Sequence, residues 1–82
     1  MANLKYPNLA AEMARTQTKY EDVYQSTAEA VGKSSETVQN WITGKAGELT
    51  VKAAFHIRDT YFPHLRVGYL FAERPMHGKG AN

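Results

Sequence analysis

Two glycines, Gly32 and Gly44, constrain this chain more than any other feature, because each closes a segment with helical apolar spacing. Glycine enters a left-handed backbone without steric penalty, so it stops helices cleanly. Between the two, Val38, Trp41 and Ile42 recur at i, i+3 and i+4, one face of a short helix predicted over 35–43. Ser34 is its expected N-cap, and Glu36 falls in the first turn, where a carboxylate suits the positive end of the dipole. Upstream, Tyr20, Val23, Tyr24, Thr27 and Val31 form one continuous face of a longer helix that Gly32 should end. Thr18 and Glu21 read as a capping box at its start, the hydroxyl taking a backbone N–H and the carboxylate reaching back to the cap.

The outer segments follow the same logic. Pro7 suits a first turn, because its missing N–H would have no partner there anyway, and Leu9 and Met13 share a face of a helix expected to end near Thr16. Thr50 can cap a fourth helix through Tyr61, with Val51, Ala54, Phe55 and Ile57 available to the core. Pro63 forces a stop, since the residue before a proline is pushed out of the helical region. A last short helix over about 67–72 would present Leu70 and Phe71. No run alternates with period two long enough to read as a strand. The expectation is one all-α domain of about five short helices over 1–73, followed by a flexible tail over 74–82.

Bulk properties narrow the function. At 82 residues the chain supports one domain with a modest core. With 43% hydrophobic and 22% charged residues, it has too much apolar material to read as disordered. No apolar run approaches the ~20 residues of a membrane span, and the first residues lack the apolar stretch of a signal peptide. Without cysteine there is no disulfide, thiol nucleophile or zinc–thiolate site. A cytoplasmic location with no membrane partner is the corresponding expectation. His56, His64 and His77 are scattered without metal spacing, and Gly32-Lys33-Ser34 lacks the upstream glycine of a phosphate loop. No Ser-His-Asp set or paired carboxylates can be argued at this size. The expectation is therefore no enzyme, no cofactor and no small-molecule substrate. Tyr20, Tyr24, Tyr61 and Tyr69 read as core-edge residues rather than base-stacking platforms.

The two central helices, joined by Gly32-Lys33-Ser34, form a helix-turn-helix candidate. Opposite the apolar face of the second lie Ser35, Glu36, Gln39, Asn40 and Thr43, the short polar groups a helix needs to enter the DNA major groove. Gln and Asn can pair with adenine, Ser can bond several bases, and Glu can accept from the cytosine amino group. Gly44 lets the backbone approach a phosphate, and Lys45, Lys33 and Lys19 can neutralise phosphates.

Residues 31–45, Val-Gly-Lys-Ser-Ser-Glu-Thr-Val-Gln-Asn-Trp-Ile-Thr-Gly-Lys, resemble the core of the Cro/C1 (XRE) family of phage repressors. The likeness covers the glycine, the capping serine, the threonine, the buried valine and the closing Gly-Lys. Tyr6-Pro7-Asn8-Leu9 resembles the start of one phage-like branch, and Phe55 to Asp59, Phe62-Pro63 and Tyr69-Leu70-Phe71 resemble its end, so that roughly 6–73 is covered. The resemblance implies a lambda-repressor-like domain that binds a double-stranded operator as a transcriptional regulator. It places base reading at Ser35, Glu36, Gln39 and Asn40, and backbone contact at Lys19, Lys33, Thr43, Gly44 and Lys45. The chain departs from the family pattern in having Lys19 where glutamine is usual, about four extra residues before Gly32, and Thr43 in place of asparagine. Glu36 either reads cytosine or penalises DNA. A homodimer is expected, with Leu65, Val67, Leu70 and Phe71 as the candidate seam. The alternative reading is a protein-interaction module on the same scaffold, such as an antirepressor or antitoxin-like partner, which the low net charge of +2 favours.

Overall fold

A computed structural model describes residues 5–73. They form five helices, α1 (Pro7–Thr16), α2 (Tyr20–Val31), α3 (Ser35–Thr43), α4 (Val51–Tyr61) and α5 (Val67–Leu70), with no strand among the described residues. The expected tail over 74–82 lies outside them.

Local chemistry explains most of the boundaries. Gly32 and Gly44 both adopt the left-handed backbone, at φ 71° and 81°, and end α2 and α3 as their position predicts. Ser34 Oγ accepts the Thr37 N–H at 3.1 Å, and Thr50 Oγ1 accepts the Ala53 N–H at 3.2 Å, so both expected caps form. The capping box at Thr18 does not. Gln17 takes the left-handed backbone at φ 57°, and the Thr18 N–H turns back onto the Met13 carbonyl at 2.9 Å. The Thr18 hydroxyl then pairs with that of Thr16 at 2.7 Å, and Lys19 becomes the N-cap of α2 without a side-chain bond.

The core draws on every helix. Leu9 and Met13 come from α1, Val23, Thr27 and Ala28 from α2, Val38, Trp41 and Ile42 from α3, Ala53 and Ile57 from α4, and Leu70 from α5. Phe62, just past α4, is fully buried among them. Burying each large aliphatic side chain of this set stabilises the fold by about 1.5–3 kcal/mol before the entropy of ordering it is counted.

Two expectations about the core are corrected. In α4 the inward stripe is Ala53 and Ile57, whereas Val51 is 72% exposed, Phe55 is 42% exposed and Ala54 is half-buried. The small Ala53 and Ala28 side chains, both buried, suit close packing of α4 on α2. Val51 and Phe55 each stand two residues before an inward residue, about 200° around the helix at 100° per residue, and so face out. In α5, Leu70 is fully buried within its own chain and cannot also form a seam with a second copy, while Leu65, Val67 and Phe71 are half-buried.

Specific polar bonds fix the outer helices. Asn8 donates its amide to the Tyr69 carbonyl at 3.0 Å, and the Tyr69 hydroxyl donates to Glu12 Oε2 at 2.9 Å, joining α1 to α5. Tyr6 meets Phe71 edge to face with centroids 5.4 Å apart. On the other side, Ser26 Oγ pairs with His56 Nε2 at 2.8 Å, and the Tyr61 hydroxyl donates to the Asp22 carbonyl at 3.3 Å, binding α4 to α2.

Candidate nucleic-acid interface

The site is built on α3. Its inner face, Val38, Trp41 and Ile42, is buried, which fixes the rotation of the helix about its axis. Its outer face is therefore determined: Ser35, Glu36 and Gln39 are exposed, while Asn40 and Thr43 are half-buried. The side chains of Ser35, Glu36, Gln39 and Asn40 make no hydrogen bond or ion pair with another described residue, which leaves their polar atoms available to a ligand.

The end of α3 is more closed than its sequence suggests. The amides of Gly44 and Lys45 both point at the Asn40 carbonyl, the latter at 3.0 Å, and the Ala46 amide reaches the same oxygen at 3.4 Å. The backbone donors around Gly44 are thus already engaged, whereas the Lys45 side chain is exposed. The Thr43 hydroxyl likewise donates to the Gln39 carbonyl at 2.8 Å and keeps only acceptor capacity. Lys33 lies exposed in the turn before α3. Lys19 caps the opposite end of α2, roughly 18 Å along that helix from the turn. The structure thus gathers Lys33, the outer face of α3 and Lys45 along one helix, with Lys19 a helix length away.

Three features of this region are not visible from motif spacing. Lys5 packs on the end of α3, with its Cβ 3.2 Å from where a Cβ on Gly44 would stand. Its ammonium lies 3.4 Å from Glu48 and 3.9 Å from Glu73. Burial alone would lower the Lys5 pKa; Tyr6, Glu48 and Glu73 more than offset this and hold it above the ordinary value. Gly47, at φ 74°, lies against the Trp41 ring and completes the loop below α3. Gly44-Lys45-Ala46-Gly47 reads as a loop from its residues, but nothing local says which side chain Gly47 must admit.

The charge of the region runs against a simple anion site. Residues 19–45 carry Lys19, Lys33 and Lys45 against Glu21, Asp22, Glu29 and Glu36, a net negative charge. Among the described residues no group of three His, Cys, Asp or Glu could hold a metal ion, and no helix is long and apolar enough to cross a membrane. Compared with known proteins, the chain matches no family model, no curated protein and no solved structure.

Proposed function

We propose that this domain is a sequence-specific double-stranded DNA-binding regulator, of the kind its resemblance to Cro/C1 repressors implies. The observation that supports it is the division of α3: one face is locked into the core, and the other offers Ser35, Glu36, Gln39 and Asn40 with uncommitted polar atoms. In this reading α3 lies in the major groove with its N-terminal half toward base edges. Gln39 and Asn40 present paired donor and acceptor atoms to adenine, Ser35 bonds an adjacent base, and Glu36 accepts from a cytosine amino group. Lys33 and Lys45 set the register on phosphates. Two copies on a two-fold axis read half-sites about one DNA turn apart. The role is recognition, with no catalytic step and no cofactor.

A second reading, a protein-interaction module, is favoured by the exposed Val51 and Phe55 on α4 and by the negative charge of 19–45. Salt separates the two. Duplex binding followed by fluorescence anisotropy should weaken steeply and linearly in log–log form as salt rises. Absence of duplex binding by the folded protein, with a partner held through an apolar face that is indifferent to salt, would replace the first reading with the second.

A further inference from the structure

An ion cluster sits beside the C-terminal end of α3. The Lys5 side chain rests on Gly44, its Cβ 3.2 Å from where a Cβ on that glycine would stand, and the exposed Lys45 follows at once. Two carboxylates share the Lys5 ammonium: Glu48 Oε1 at 3.4 Å, from the loop between α3 and α4, and Glu73 Oε2 at 3.9 Å, from beyond α5. The members are unequally covered. The Lys5 side chain is 18% exposed, whereas Glu48 and Glu73 are 84% and 65% exposed. What this corner shows to solvent is therefore mainly carboxylate, and one cation against two anions leaves it net negative. Ion pairs with such exposed partners are individually weak, so a competing anion can displace them. In the DNA-binding reading Lys45 meets a phosphate at this same helix end. The carboxylates there repel the duplex backbone and also occupy the cation packed against Gly44.

We propose that Glu48 and Glu73 form an autoinhibitory clamp that withholds Lys5 from the DNA backbone beside the α3 contact, so that a phosphate must displace them to pair with the Lys5 ammonium. This inference rests on the DNA-binding reading above. Because the two carboxylates act through Lys5, removing them should matter to the salt slope only while Lys5 is present. The test compares the full chain with Glu48→Gln/Glu73→Gln, with Lys5→Met and with the triple variant, on one selected and one scrambled duplex from about 50 to 200 mM salt. Methionine keeps an unbranched stem against Gly44 and removes the ammonium. Each phosphate neutralised adds about 0.9 to the slope. The expected result is tighter binding of both duplexes by the glutamine variant, with a slope steeper by about 0.9, so that it loses roughly 3.5-fold more affinity than the full chain across this range. The ratio between selected and scrambled duplexes should be unchanged, and the triple variant should show no steeper slope than Lys5→Met. A readout that needs no Lys5 substitution is the NMR resonance of Lys5 Nζ, which should move when either duplex is added to the glutamine variant. An equal gain with and without Lys5 would reduce the effect to simple repulsion and overturn the clamp, as would a Lys5 resonance indifferent to bound duplex; both leave the α3 reading intact. Four folded proteins that bind neither duplex would overturn both.

Discussion

Gly47 stands against the edge of the Trp41 ring: a Cβ on Gly47 would lie 2.9 Å from both Cδ1 and Nε1 of the indole. Its backbone is also left-handed, at φ 74°. Gly47→Ala should combine backbone strain with overpacking and destabilise the domain by about 3 kcal/mol. Gly32 has a similar φ of 71°, but a Cβ there would meet nothing within 4 Å. Gly32→Ala should therefore cost only about 1 kcal/mol. Denaturant melts of the two variants, read through Trp41 fluorescence, separate the steric part from the backbone part. Equal losses would contradict the Gly47–Trp41 contact.

Thr27 is fully buried, and its hydroxyl has no hydrogen-bond partner among the described residues. An unsatisfied buried hydroxyl carries its desolvation penalty uncompensated. Thr27→Val keeps the shape and removes the polar atom, so it should stabilise the fold by about 1 kcal/mol. In a domain of this size that raises the Tm by roughly 4–8 °C. A lower Tm would show that the hydroxyl is satisfied in solution.

Glu12 and Tyr69 should shape stability against pH from opposite sides. Burial alone would raise the Glu12 pKa, but the hydrogen bonds from Arg15 and Tyr69 outweigh it and hold the carboxyl below its ordinary 4.5. A folded value below the unfolded one gives stability that is present above the unfolded value and lost as pH falls through the folded one. Burial, and then the bond it donates to Glu12, raise the Tyr69 phenol above its ordinary 10.0. That contribution is present below the unfolded value and lost as pH rises through the folded one. Glu12→Gln should flatten the acid limb of a Tm–pH profile below about pH 5, and Tyr69→Phe the alkaline limb above about pH 10. Unaltered limbs would mean that the pair does not persist in solution.

Much of this fold is legible because its signals are local. Ser34 and Thr50 cap through amides three residues away, and Gly32 and Gly44 end helices by their own backbone freedom. The division of α3 into a buried and a polar face follows from spacing alone. What escapes depends on packing across the chain. The rotation of α4 is set by Ala53 and Ile57 against the core, and periodicity cannot choose between that stripe and the bulkier Val51 and Phe55. Thr18 loses its capping role because α1 ends through Gln17 and takes up the Thr18 amide. Lys5 reaches Glu48 and Glu73 over sequence separations that no motif spans, and the closure of the Gly44 turn onto Asn40 concerns backbone atoms that residue identity does not announce.

Base reading and phosphate contact should separate by mutation. Asn40→Ala should cost about 1–3 kcal/mol on the preferred duplex and relax the choice at one position. Lys45→Ala should weaken every duplex alike and reduce the salt slope by about 0.9. Competition binding against single-position duplex variants distinguishes them. A uniform loss from Asn40→Ala would remove it from the base-reading set.

The central claim, that the outer face of α3 reads DNA sequence, is tested most directly by selection from a randomised duplex pool at moderate salt. The wild-type chain would be compared with Gln39→Ala/Asn40→Ala, both verified as folded by their thermal melts. The predicted result is a two-fold symmetric site, with half-sites about one DNA turn apart, enriched by the wild type and lost by the variant. No enrichment by the folded wild type, or the same site recovered by both proteins, would contradict it.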